Sequence, residues 1–243
     1  MNELTLDSAV GDWAASRPET IYVFERHGID YCCHGATPLS AACCERGVDP
    51  RRVLDELHGA AAYNGHPERD WQRSSLTELC DHIERTHHAY LREELPQLAQ
   101  RIDQVINTHA GRHPELHQVR KTFQELRAEL EPHMMKEERI LFPAIRALER
   151  SVAFPTFPFG TVRNPIRVME HEHDTARQAS ATLRRLLDDY RPPEDACPTY
   201  CALLDRLARL EGDLHRHIHK ENNLLFPRAA QLEESLAGAT VEI

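Results

Sequence analysis

The chain has 243 residues, of which 28% are charged, and its formal net charge at pH 7 is −10. Such an acidic chain has no general attraction to nucleic-acid phosphates or to an anionic membrane surface, so we expect neither as a partner. No apolar run approaches the roughly 20 residues that cross a bilayer, and the first residues lack the pattern of a signal peptide, which predicts a cytoplasmic protein.

Long stretches rich in Leu, Ala, Arg and Glu, with only 10 glycines, predict an all-α protein. Residues 1–62 are divided into short helices by turn-forming residues, chiefly Pro18, Gly28, Gly47, Pro50 and Gly59. A segment this small has a thin core, so we expect it to lean on a neighbouring domain or on a second copy of the chain in a homodimer. Residues 63–73 have turn residues without an apolar period, which predicts a linker.

Residues 74–243 contain four long amphipathic stretches. They predict helices over residues 74–109, 114–150, 165–190 and 197–231. Because the four predicted helices have comparable lengths and short connections, we expect an antiparallel four-helix bundle.

Two of these predicted helices carry the same motif, His-x-x-x-Glu followed by an apolar run. The pairs are His133 with Glu137, and His217 with Glu221. Residues four apart lie about 6 Å apart on one face of an α-helix, so both side chains can reach one metal ion. The apolar stripes of both helices run through these positions, which places the glutamates in the core. Buried carboxylates are rare without a partner or a metal; two buried polar networks are the alternative.

The other two predicted helices each offer one inward histidine. His173 lies on the apolar stripe of the third helix. In the first helix the stripe that contains Leu91 extends back to His88, whereas Ile83 points to the neighbouring His87, and we choose His88. Each half of the bundle then supplies one histidine followed by a His-x-x-x-Glu pair, an internal repeat that predicts two metals.

The simplest site gives each metal two imidazoles and lets both glutamates bridge, with the metals about 3.5–4 Å apart. Nitrogen and carboxylate ligands without thiolate suit iron, zinc or manganese. The other histidines are predicted to be solvated surface residues, although a role in supporting the ligands stays open for His87 and His171.

Residues 30–35 contain the adjacent pair Cys32 and Cys33 in a turn-rich setting before Gly35. Adjacent cysteines cannot pair with each other without a strained ring. The setting predicts exposed, reactive thiols that serve in intermolecular disulfide exchange or transient metal transfer, and buried apolar cysteines are the alternative. The other five cysteines are predicted to be structural: Cys43, Cys44, Cys80, Cys197 and Cys201.

These motifs, in this order, resemble the iron-sulfur cluster repair family of di-iron proteins, the RIC type, which joins a small cysteine-pair domain to a hemerythrin-like bundle. Hemerythrin-like oxygen carriers differ, because Arg177 and Asn222 stand where they have metal ligands. The resemblance implies repair of clusters damaged by nitric oxide or oxidants, with damaged iron-sulfur proteins as partners and nitric oxide or dioxygen as small ligands. It implies two iron ions on His88, His133, Glu137, His173, His217 and Glu221.

Three functional readings follow. The favoured one is a stress protein that donates iron and is not itself an enzyme. The enzymatic alternative is a di-iron nitric oxide or peroxide reductase. The binding alternative is an oxygen or redox sensor whose first domain signals the state of the metal.

Overall fold

The computed structural model describes residues 4–60, 71–152 and 155–241. The described residues are all-α and contain no strand, so the predicted fold class is confirmed. The α-helices are α1 (Val10–Ser16), α2 (Ile21–His27), α3 (Leu39–Arg46), α4 (Pro50–Gly59), α5 (Leu76–Ile83), α6 (Ala89–His109), α7 (Leu116–Lys136), α8 (Phe142–Arg150), α9 (Arg163–Leu186), α10 (Pro198–His219) and α11 (Phe226–Val241).

Three π-helical turns join pairs of these helices into longer rods. They are Glu84–His88 between α5 and α6, Glu137–Leu141 between α7 and α8, and Lys220–Leu225 between α10 and α11. With α9, these rods make the four-helix bundle: α6 packs on α7 and α10, and α9 packs on the same two helices. The fourth rod continues to Val241, ten residues beyond the predicted end, whereas α9 stops at Leu186.

The bundle core is a column of leucine, isoleucine, valine and phenylalanine side chains on the faces that the sequence stripes predicted. Phe123, Leu126, Leu130 and Leu207 are all at most 4% exposed. A second apolar cluster surrounds the π turns and contains Phe142, whose side chain is fully buried. The ligand positions lie between these two clusters, away from bulk water.

Helices α1 to α4 form a small unit with a core of its own. Trp13 and Phe24 are fully buried there, and Ile218 of α10 completes the same cluster. The small unit was expected to pack against a neighbour, and it packs against the bundle of the same chain. Helix α1 was not predicted from the sequence, because it is only 7 residues long and includes Gly11.

Two glycines allow the small unit to approach the bundle closely. A Cβ on Gly35 would lie 2.0 Å from Oδ1 of Asn223, and one on Gly11 would lie 2.7 Å from the same atom. Residues 63–70 of the predicted linker lie outside the described residues, and the division into domains 1–62 and 74–243 stays a prediction. Within the described part of the chain, no helix is both long enough and apolar enough to cross a membrane.

We expect Phe123→Ala to lower the free energy of unfolding by about 3–5 kcal/mol, because it leaves a cavity in a close-packed core. The measurement is urea denaturation followed by circular dichroism. Gln124→Ala, at the next and exposed position of α7, is the control and should change the free energy by less than about 0.5 kcal/mol. Equal effects of the two substitutions would contradict the assignment of the core.

Candidate metal centre

Three of the predicted ligands lie in or at the end of π turns. His88 ends the first turn, Glu137 begins the second, and Glu221 is the second residue of the third. A π turn accommodates one extra residue in a helix and so changes which side chains face inward before and after it. The sequence reading treated these helices as continuous α-helices and missed the turns.

The structure brings all six predicted ligands together in the bundle core. His88, His217 and the two glutamates form one group, and His133, His173 and the same two glutamates form another; within each group the ligand atoms lie within 4.8 Å of one another. Every one of the six residues is at most 2% exposed. His87 is also buried, but its ring stacks on that of His217 at 5.2 Å and it belongs to neither group.

The Nε2 atoms of the histidines face one another and the carboxylates. Nε2 of His88 lies 3.2 Å from Nε2 of His217, and Nε2 of His133 lies 3.2 Å from Nε2 of His173. Glu137 contacts one member of each pair, at 3.2 Å from His88 and 3.4 Å from His133. Glu221 contacts the other members, at 3.0 Å from both His173 and His217.

The glutamate oxygens fit a metal better than they fit the protein around them. Both oxygens of Glu137 and Oε2 of Glu221 are buried and form no hydrogen bond with the described residues. A buried carboxylate without hydrogen bonds is costly unless a cation lies next to it. Imidazole nitrogens and carboxylate oxygens are suitable ligands for iron, zinc and manganese, so the donor set matches a metal site of this type.

The pKa values show how strongly these groups depend on one another. Burial lowers the pKa of His133, but the charge of Glu137 and the hydrogen bond with Glu172 outweigh it and raise that pKa to about 10. Burial and the charge of Glu221 raise the pKa of Glu137. The imidazoles of His133 and His88 outweigh both effects and hold it below its usual value. Ionised carboxylates therefore need positive charge beside them, from imidazole protons or from a metal that displaces those protons.

A second set of residues orients three of the imidazoles. The Nδ1 atom of His88 lies 2.7 Å from Glu138, that of His133 lies 2.9 Å from Glu172, and that of His173 lies 2.8 Å from Oδ1 of Asn222. An Nδ1–H that donates to such an oxygen leaves the lone pair of Nε2 free for a metal. Glu172 therefore has a partner among the ligand candidates.

The cysteine segment packs against the same part of the bundle. Asn223 donates hydrogen bonds to the carbonyl oxygens of Tyr31 and Cys32, at 3.1 and 3.0 Å, and Asn222 donates to Cys32 at 3.4 Å. Asn222 therefore contacts both the ligand His173 and the backbone of the cysteine pair. A sequence offers no signal for this contact, because it joins residues far apart in the chain.

The expectation of two exposed cysteines was wrong for Cys32. This side chain is 2% exposed because it packs in the core of the small unit, and Cys33 is half-buried. The contact between the two sulfurs, at 3.9 Å, and burial both raise the pKa of Cys32 well above its usual value. Atoms of Asp30, Cys32 and Cys33 lie within 4.8 Å of one another, so this trio could hold a metal ion.

A narrow cavity lies beside the ligands. Its volume is about 10 Å³, which is close to the space that one water molecule needs. Glu129 and Glu172 line it together with His133, His173 and His217. A molecule of two or three atoms is therefore the size of guest that this cavity suits.

Comparison with known proteins identifies the family. A profile described as "Hemerythrin HHE cation binding domain" matches residues 79–229, and one described as "Domain of Unknown function (DUF542)" matches residues 6–61. "Iron-sulfur cluster repair protein YtfE" of Edwardsiella ictaluri is 36% identical over 225 residues, which cover 92% of this chain and 96% of that protein. The chain belongs to the YtfE family.

Other YtfE proteins agree. Those of Citrobacter koseri and Shigella boydii are each 35% identical over 223 residues, which again cover 92% of this chain and 96% of theirs. The predicted family is therefore confirmed. Cation binding is the property that the hemerythrin profile names, and it matches the part of the chain that carries all six ligand candidates.

Two expectations about individual side chains outside the centre were wrong. His109 and His219 are buried rather than solvated. His109 also bears on Cys197, which directly precedes α10 and was predicted to be structural. A hydrogen bond with His109 and the backbone N–H groups at the start of the helix lower the pKa of Cys197 to about 7.

We expect Cys197 to react with iodoacetamide far faster than Cys80 near pH 7, because only the thiolate is nucleophilic. Burial raises the pKa of Cys80 far above its usual value. Peptide mass spectrometry of timed samples measures both rates in one reaction. Unfolding in urea should bring the two rates together, and equal rates in the folded protein would contradict the assignment.

Proposed function

We propose that the protein repairs damaged iron-sulfur clusters and that its bundle holds two iron ions. The observation that carries the proposal is that two groups of four ligands share both glutamates. One metal in each group would be held by two imidazoles and the shared carboxylates, and the two metals together would use all six side chains. The YtfE relatives are named iron-sulfur cluster repair proteins, which supports the same function for this chain.

Iron on imidazole and carboxylate ligands can change oxidation state, and six protein ligands for two ions leave coordination positions for small molecules. The chain's own residues then have separate tasks. The four imidazoles and two carboxylates would hold the ions, and Glu138, Glu172 and Asn222 keep three imidazoles oriented. The apolar clusters on both sides limit water.

We propose that iron is the cargo and that the cysteine segment takes part in its transfer. Asp30, Cys32 and Cys33 form a small second group of possible ligands, and Asn222 lies between this segment and His173. Sulfur ligands suit an iron destined for an iron-sulfur cluster. Partners on this proposal are iron-sulfur proteins that have lost iron, and the seven free cysteines of the chain fit a reducing cytoplasm.

A second candidate function is reduction of nitric oxide or peroxide at the same centre. The cavity beside the ligands favours it, because its volume of about 10 Å³ suits small molecules. Catalytic turnover with a supplied reductant, without loss of iron, distinguishes this reaction from repair by iron donation.

We expect Glu137→Ala combined with Glu221→Ala to abolish loading of both metals, because each carboxylate belongs to both groups. Metal content by mass spectrometry, with the visible absorption spectrum, measures loading. Wild-type protein should contain about two irons per chain, the number that two four-ligand groups predict. Helicity by circular dichroism should stay close to that of the wild type.

The matched control for this experiment is Glu125→Ala, which removes an exposed carboxylate of the same helix as His133. It should keep both irons. Retention of two metals by the double variant would refute the ligand assignment. A wild-type protein that binds only zinc, or no metal after anaerobic reconstitution with iron, would refute the repair function itself.

We also expect Cys32→Ser combined with Cys33→Ser to keep the iron content and lose most of the repair activity. The readout is recovery of a [4Fe–4S] enzyme inactivated by nitric oxide, with iron content measured on the same sample. Cys44→Ser, at an exposed cysteine of α3, is the control. Wild-type repair by the double variant would remove the cysteine pair from the mechanism.

A further inference from the structure

A large cleft lies between the small unit and the bundle, and none of the six ligand candidates lines it. One wall is the segment 25–32, and the other is formed by α9 and α10. Its volume is about 600 Å³, within the range of sites for small organic ligands. The bundle wall is open because Ala181, Ala208 and Gly212 stand where larger side chains would fill it. We call this space the arginine cleft.

The lining of the arginine cleft is rich in arginine, although the chain as a whole has a net charge of −10. Five arginines line it, against four carboxylates. The carboxylates already have partners. Glu211 accepts two hydrogen bonds from Arg184, at 3.2 and 2.9 Å, and Glu25 lies 3.5 Å from Arg216. Asp30 accepts from the backbone N–H of Cys33 at 3.0 Å.

Three of the arginines keep unused donors. Arg46 and Arg191 are exposed and form no ion pair with the described residues. Nε of Arg177 is buried and makes no hydrogen bond with the described part of the chain, although Oδ2 of Asp30 is 3.3 Å away. Guanidinium groups with free N–H donors bind carboxylates and phosphates well, because two parallel hydrogen bonds match the planar fork.

A strained turn forms part of the rim. Asp188, Asp189 and Tyr190 have φ of 46°, 55° and 60°, values that non-glycine residues adopt rarely. The turn is held in place because the guanidinium of Arg184 lies over the Tyr190 ring, 5.2 Å from its centre. Strain of this kind is found most often at sites that bind ligands. The turn ends at Arg191 and places that arginine on the cleft.

We propose that the arginine cleft binds a small organic anion that carries at least two carboxylate or phosphate groups. The exposed Arg46 and Arg191 bind the charged groups of the anion that lie nearest the solvent. Arg177 binds the charged group that reaches the wall formed by α9 and α10. The small side chains of α9 and α10 leave room for its body. Cys32 lies on the opposite wall, which segment 25–32 forms, so the bound anion occupies the approach to the cysteine segment.

The test is isothermal titration of the full-length, iron-loaded protein with citrate, with inorganic pyrophosphate and with acetate. We expect citrate or pyrophosphate to bind with a Kd below about 1 mM, and acetate, which has a single charge, to bind far more weakly. Tighter binding of citrate assigns a polycarboxylate, and tighter binding of pyrophosphate assigns a phosphate ligand.

The decisive variant combines Arg46→Gln with Arg191→Gln, and we expect it to weaken binding about 10-fold or more. The control combines Lys121→Gln with Arg150→Gln, which removes the same charge from exposed positions outside the cleft and should leave the Kd unchanged. Both variants keep every metal ligand. Any heat from extraction of iron by the polyanion would therefore be the same in both variants and would not account for a difference between them. Binding that persists in the cleft variant, equal loss in the control, or no binding of either polyanion to the wild type would overturn the proposal.

Discussion

The structure depends on two carboxylates buried at the middle of a helical bundle. Glu137 and Glu221 are fully buried and have ionised, pKa-lowered side chains. Such groups are stable there only if positive charge lies beside them. The four imidazoles, their orienting partners and the apolar clusters above and below all follow from this constraint, because each either supplies that charge, fixes its position or keeps water away.

Much of the centre could be predicted from the sequence because helical periodicity is a local property. The stripes through His133, His173 and His217 are regular, so their inward direction was readable. At the first helix, Ile83 pointed to His87 and Leu91 pointed to His88. That difference of one residue is the signature of the π turn at Glu84–His88, which adds one residue between the two stripes. The choice between His87 and His88 therefore already indicated that one residue is inserted between the two stripes, and so where the turn lies.

The remaining features arise from contacts between distant parts of the chain. Burial of Cys32 depends on how the small unit folds around Trp13 and Phe24, and a turn-rich segment gives no sign of it. The buried position of His219 depends on Tyr31, whose ring lies 5.5 Å away across the interface. Helix α1 is too short for its period to be recognised. In each case the decisive neighbour is absent from the local sequence.

Asn222 and Asn223, which follow Glu221, couple the small unit to the metal centre across the interface between the small unit and the bundle. Asn222 orients His173, while Asn223 donates hydrogen bonds to carbonyl oxygens of the cysteine segment and packs closely against Gly11 and Gly35. Docking of the small unit and orientation of a metal ligand therefore share one helical turn. Linkage requires such coupling to act in both directions. Any change that loosens the docking of the small unit would therefore also loosen the orientation of His173, and a change that reorients His173 would loosen that docking.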